Sequence, residues 1–251
     1  MTKVVVFANQ KGGVGKTTSA VNLGAYVAER GKKVLLIDFD PQSNLSSSVG
    51  ADTERAGIYE VITGAAELGS AIQRTSVENL HVVPASINLT GATVELVDHS
   101  EREFFLKRAL EDLDSGYDFA FVDCPPSLGI LTLNGLVAAS RVLIPLQCEY
   151  FALEGLTLLL KTISRVQQRL NPGLEIGGII FTMYDQRTRL ANEVVQEVTS
   201  YFKDRVFRTI IPRNVRLSEA PSYSKPINQY DRSCLGARSY EKLADEVLSH
   251  V

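Results

Sequence analysis

Seven short apolar runs recur along the 251-residue chain: "KVVVFAN", "KVLLIDFD", "LHVVPA", "DFAFVDCPP", "RVLIPLQ", "LEIGGIIFTM" and "VFRTIIP". Each is bounded by turn or polar residues, and its hydrophobicity is continuous rather than alternating, the pattern of strands buried on both faces. Such strands require helices above and below the sheet. Between the runs, apolar residues at helical spacing predict helices over roughly 16–30, 101–113, 128–139, 153–170, 190–202 and 237–248. Gly31 and Gly116 fall just past two of these patterns, where a left-handed helix end favours glycine. The repeated order of strand and helix predicts a doubly wound α/β fold, a mostly parallel sheet with helices on both faces. The stretch 52–79 has the weakest pattern, and no repeat or low-complexity segment is visible.

With 45% hydrophobic residues and nothing that reads as a linker, the chain is expected to bury one core and form a single domain over 1–251. Charged residues make up 22% and the net charge is -3, which excludes a disordered tail and a generally basic protein. Nucleic-acid binding, if present, has to come from a local patch. The opening "MTKVVVF" lacks a basic flank, a long apolar segment and a cleavage site, and no apolar run reaches the roughly 18–20 residues of a membrane span. A cytoplasmic protein is expected. Cys124, Cys148 and Cys234 are odd in number and far apart, so they read as buried free thiols rather than a disulfide framework or a zinc site. His81, His99 and His250 are equally scattered.

The stretch "FANQKGGVGKTTSAVNL" carries the chemistry. The phosphate-loop pattern G-x-x-x-x-G-K-[ST] is met in its last three positions by Gly15, Lys16 and Thr17, while Gln10 stands where its first glycine belongs. The loop follows a buried strand and opens an amphipathic helix, whose N-terminal amides and dipole face an anion. Gly12, Gly13 and Gly15 let backbone N–H groups close around phosphates. Lys16 then reaches the β and γ phosphates, and the Thr17 hydroxyl takes a position on Mg²⁺. A glycine-rich turn alone needs neither the lysine nor the hydroxyl. Asp123, at the end of "FAFVD", fits an acid that holds Mg²⁺ through water, and Pro125 and Pro126 stop its strand at the rim. Asp38 and Asp40 stand two apart at another strand end, so both are expected to look toward the loop.

"KGGVGKTT" resembles the deviant Walker A motif of the ParA/MinD family of ATPases, and "VLLIDFDPQSN", "FVDCPPS", "PLQCEYFALEG", "TMYD" and "IPRNVRLSEAPSYSKPI" resemble the successive motifs of its chromosomal ParA (Soj) branch. The match runs over essentially the whole chain. The larger plasmid members carry an additional N-terminal DNA-reading domain, which is not expected here. The resemblance implies an ATP- and Mg²⁺-dependent slow ATPase whose nucleotide site includes Lys11, Gly12, Gly13, Val14, Gly15, Lys16, Thr17 and Thr18. In it, the extra lysine Lys11 crosses the interface of an ATP-bound homodimer to the phosphates held by the other subunit. A cation supplied in trans makes association depend on the buried phosphate charge. The resemblance also gives Asp40 the attacking water and Asp38 a place supporting the magnesium shell. It puts the adenine near Pro212, Arg213 and Asn214, with "TMYD" close by. Asn214 is equally readable as a turn former.

Residues 205–230 hold five basic side chains against one acid, in a chain whose total charge is -3. The resemblance assigns sequence-independent binding of double-stranded DNA to arginines matching Arg187 and Arg216, with Arg189 and Lys225 as neighbours. Arginine contact with phosphate needs no base reading. It further implies release from nucleoid DNA when a centromere-binding partner of the ParB class stimulates hydrolysis. A membrane-cycling regulator of the MinD type is the alternative, but the end "SYEKLADEVLSHV" sets Glu241, Asp245 and Glu246 against one Lys242, a poor match to an anionic membrane. A metabolic or redox enzyme on the same scaffold, such as the dethiobiotin synthetase or nitrogenase iron-protein relatives, is a third class. The placement of Cys124 and Cys148 does not suit a shared iron-sulfur cluster.

Overall fold

A computed structural model of the chain describes residues 2–111, 116–149 and 152–250. Seven strands form one sheet in the order β3-β4-β2-β5-β1-β6-β7. They are β1 (Lys3–Phe7), β2 (Val34–Asp38), β3 (Gln73–Arg74), β4 (Leu80–Val83), β5 (Phe119–Asp123), β6 (Arg141–Gln147) and β7 (Glu175–Thr182). All pairings are parallel except β3 with β4. The two-residue β3 lies in the weakly patterned stretch 52–79, too short to leave a sequence signal. That stretch also holds short helices at Ile58–Ile62 and Leu68–Ala71.

The continuous runs are explained by two cores, one on each face of the sheet. Val5, Phe7, Leu36 and Phe121 pack against the helices Lys16–Glu29 and Leu235–His250. Val6, Leu35, Ile37 and Val122, their immediate neighbours in sequence, pack against helices on the other face, including Ile130–Ala138 and Ala152–Arg169. Alternate residues therefore serve opposite cores, and the buried polar side chains Asp38, Asp123 and Thr182 come only at the carboxyl ends of their strands. At 5.5 Å between centroids and near-perpendicular, Phe7 and Phe121 join adjacent central strands.

The helix expectations hold within a turn, with Arg102–Phe104 forming a 3₁₀ turn before the helix Phe105–Glu111. Gly31 has φ 79° and donates to Ala28 O, ending the first helix in the left-handed conformation. The expected helix end before Gly116 lies in 112–115, outside the described residues.

One expected strand is absent. "VFRTIIP" meets the sheet through isolated bridges, Val206 with Ile179 and Pro212 with Tyr184, and through Ile211 N, which donates to Phe181 O at 2.9 Å, without forming a continuous ladder. Its central amides are taken elsewhere: Arg208 N and Thr209 N donate to the Glu246 carboxylate at 2.8 and 2.9 Å. The Phe207 ring presses on the backbone of β7 at Gly178, where an added Cβ would lie 2.3 Å from a ring carbon. The segment is tied to β7 at Phe207 and Ile211 and to the last helix at Arg208 and Thr209 between them, which interrupts the ladder.

Candidate nucleotide site at the carboxyl edge of the sheet

Register places the acids. Phe7, the last residue of β1, pairs with Asp123, which pairs in turn with Asp38, so the strand leading into the loop and both acids stand level across three strands. Ligands in such sheets bind outside the carboxyl ends of the strands, and the loop 10–15 leaves β1 there.

Gly13 and Gly15 adopt φ 72° and 84°, a left-handed region that a side chain resists, and Gly15 starts the helix Lys16–Glu29. No side chain caps that helix, which leaves its first amides for an anion. The loop is pinned from outside. Lys11 N donates to Asn9 Oδ1 at 3.0 Å, Asn9 Nδ2 to Pro145 O at 2.8 Å, and Thr182 Oγ1 to the carbonyl of buried Val14 at 2.8 Å.

Lys16 is buried, and its ammonium donates to Lys11 O at 3.2 Å. Burial pushes its pKa down, opposed by the negative charge of Asp123. Asp123 is pushed well up, by burial first and by Asp38 next. Thr17 Oγ1 donates to Asp123 Oδ2 at 2.6 Å, while Asp123 Oδ1 is buried without a hydrogen-bond partner among the described residues. An orphaned carboxylate oxygen beside a hydroxyl, at the mouth of a phosphate loop, fits the outer shell of Mg²⁺.

Asp38 and Asp40 are close but not equivalent. Asp40 lines a cavity of about 420 Å³ together with Gly13, Lys16, Thr17 and Gln42. Asp38 is fully buried and does not line it. Its oxygens accept from Ser46 N at 2.8 Å, Ser46 Oγ at 2.6 Å and Asp40 N at 3.2 Å, and burial raises its pKa to about 6. The strand ends at Asp38, so spacing alone could not show this division.

A second cavity of about 410 Å³ shares Gly15, Thr18 and Met183 with the first and extends to Pro212, Arg213 and Asn214. Its wall is held by Tyr184 N to Ile211 O and Arg213 N to Tyr184 O, both 3.1 Å. Asn214 does what a turn former does, accepting from Arg216 N at 2.9 Å to cap the helix Val215–Glu219, and also lines this cavity. Met183 of "TMYD" is held at φ 49° between the two cavities, and Pro221, which sequence reasoning did not single out, lines both.

Lys11 does not line either cavity, and Nζ lies 2.5 Å from Glu149 Oε2. The basic residues divide. Arg205 and Arg208 line a hollow beside the middle of β7, whereas Arg213 and Arg216 follow Pro212, which bridges to Tyr184 just past the carboxyl end of β7. Arg187 and Arg189 follow β7 at that same edge, and Arg213 acts electrostatically on Asp185 beside Arg187. Lys225 is exposed after the turn Ala220–Tyr223. Cys124 and Cys148 are buried free thiols, and Cys234 is half-buried.

A strand, a glycine loop with a buried lysine, a hydroxyl on an acid and a doubly wound sheet define a P-loop-type ATPase. The family model described as an AAA domain matches residues 2–176. The chain is 63% identical to the chromosome-partitioning ATPase Soj of Treponema pallidum over 99% of this chain and 98% of that one. It is 53% identical to the sporulation initiation inhibitor protein Soj of Bacillus subtilis over the full length of both. Among solved structures, a cobyrinic acid a,c-diamide synthase of Mycobacterium smegmatis with a bound ATP analogue and magnesium superposes with TM-score 0.89 at 42% identity, covering 100% of this chain and 95% of that one. The chain belongs to the Soj/ParA family of chromosome-partitioning ATPases, and uses ATP with Mg²⁺.

Proposed function

We propose that this ATPase is a switch in which ATP joins two copies, the joined form holds double-stranded DNA without regard to sequence, and a ParB-class partner ends the state by stimulating hydrolysis. The observation that carries the reading is the position of Lys11: at the phosphate loop, about one-third exposed, yet outside the cavity that Lys16 lines. A cation so placed is available to phosphates held by another copy.

Within one site, Lys16 and the first amides of the helix Lys16–Glu29 bind the phosphates. Thr17 and Asp123 would hold Mg²⁺, which would supply positive charge against the phosphates. Asp40, lining the same cavity, orients the attacking water and takes its proton. Asp38 supports the metal side from behind by fixing the Asp40 amide and Ser46. Pro212, Arg213 and Asn214 flank the adenine.

DNA meets Arg187, Arg189, Arg216 and Lys225 on the carboxyl edge, and two copies double the contacts along one duplex. Nucleoid association follows from that binding. The membrane alternative is disfavoured because the last helix spends Tyr240, Leu243, Ala244 and Val247 in the core, leaving that apolar face unavailable to a membrane surface. Sizing and DNA retention run together with no nucleotide, ADP, ATP, and ATP with Asp40→Ala test the switch. Dimer and retention should rise together only with ATP and be greatest for Asp40→Ala. Retention by nucleotide-free monomer at full strength would overturn it.

A further inference from the structure

Three of the side chains expected to meet DNA are already engaged by carboxylates of their own chain. Arg187 grips Asp185 as a fork, Nε to Oδ1 at 2.8 Å and a terminal nitrogen to Oδ2 at 2.7 Å. Arg189 Nε lies 2.6 Å from Glu193 Oε1. Arg216 meets two acids, Glu219 Oε2 at 2.9 Å and Asp231 Oδ2 at 3.4 Å, and the Tyr230 hydroxyl donates to the same Glu219 oxygen at 3.0 Å. Tyr223 lies against Tyr230 with centroids 5.0 Å apart, completing a compact surface cluster. The carboxyls of Asp185, Glu219 and Asp231 are all held below their ordinary range, Asp185 and Glu219 chiefly by their arginines and Asp231 chiefly by Ser233. All three are ionised at neutral pH.

A planar guanidinium offers the same donor fork to a carboxylate and to a phosphate, so one partner excludes the other. The Arg216 cluster also has a particular place in the fold. Leu217, Ser218 and Pro221 of its helix and the following turn line the base cavity, while Arg216 and Glu219 do not. The two sides of one short segment thus serve the nucleotide and the arginine.

We infer that Asp185, Glu219 and Asp231 are internal phosphate surrogates, which pre-shape the DNA-facing arginines and lower the affinity of each patch by making DNA displace a carboxylate. The inference rests on the DNA-binding reading above and adds its regulation. Weak single patches make retention depend on two copies acting together. Exposed ion pairs of this kind are worth about a 1.5- to 5-fold change in an equilibrium. Because a two-copy complex breaks each clamp twice, release of one clamp raises DNA affinity by roughly 2- to 25-fold.

The test is retention of two unrelated duplexes by ATP-loaded protein at fixed salt. It compares Glu219→Gln, Asp231→Asn and Asp185→Asn, each alone and combined with Arg216→Ala. Each single substitution should raise retention of both duplexes alike. The gains from Glu219→Gln and Asp231→Asn should vanish without Arg216, while that from Asp185→Asn should survive. Unchanged or reduced retention in the single variants overturns the clamp. A gain from Glu219→Gln that persists without Arg216 also overturns it, since that is long-range charge alone. If Arg187→Ala and Arg216→Ala retain DNA like the parent, the DNA-binding reading itself fails, a result separable from failure of the clamp.

Discussion

Lys11 Nζ lies 2.5 Å from Glu149 Oε2, so the lysine expected to reach another copy is held by its own chain. The pair is about 37% and 47% exposed, and exposed pairs contribute about 0.2–1 kcal/mol. Such a pair restrains Lys11 without blocking it. Glu149→Gln should therefore shift the ATP concentration needed for dimerisation by no more than about 5-fold. Lys11→Ala should bind ATP through Lys16 and remain monomeric. Sizing across an ATP titration separates the two, and equal loss of ATP binding in Lys11→Ala and Lys16→Ala would remove the trans assignment.

Lys16→Ala should abolish nucleotide binding, because Lys16 is the lysine that lines the phosphate cavity. Calorimetric titration with ATP and Mg²⁺ checks this. Retained binding within about 10-fold would mean that the helix amides suffice without the cation.

Asp40→Ala should keep ATP binding and dimerisation and lose hydrolysis by about 100-fold or more, since orienting the water matters only in the reaction. Phosphate release measured beside sizing gives the answer. A monomer in the presence of ATP would make Asp40 structural.

Asp38 gives a pH signature. Its native pKa of about 6 lies above the 3.8 of an unperturbed carboxyl, so the folded chain binds the extra proton between those values. The stability this contributes is complete below about pH 4 and lost as pH rises through about 6. Relative to Asp38→Asn, nucleotide-free parent should lose about 2 kcal/mol between pH 4 and pH 7. Urea unfolding of both proteins over that range measures it, and a pH-independent difference would show that buried Asp38 stays ionised.

Six of the seven apolar runs were legible as strands because burial on both faces removes the polar residues that blur a strand. "VFRTIIP" failed for a physical reason: Phe207 and Ile211 bury their side chains, but Glu246, far along the chain, takes the amides of Arg208 and Thr209. Apolar pattern reports side-chain burial, not where backbone hydrogen bonds go. At the candidate site, Gly15, Lys16 and Thr17 stand together in one readable motif, and Asp123 was marked by the end of its strand, which the fold brings beside Thr17. The different environments of Asp38 and Asp40 were not legible, because Ser46 stands eight residues away with no pattern linking it to Asp38. Asp185 and Glu219 are two and three residues from their arginines and were readable in principle, whereas Asp231 reaches Arg216 only through the fold.

Mixing Lys11→Ala with Lys16→Ala tests most directly whether ATP joins two copies through Lys11. Neither variant alone should dimerise. In the mixture, the Lys11→Ala chain binds ATP with its own Lys16 and receives Lys11 from the other chain, completing one site. The expected result is an ATP-dependent dimer peak and phosphate release in the mixture, absent from either variant alone. If Lys11 serves its own site, no chain in the mixture has a complete one, and a mixture as inert as its components would contradict the account.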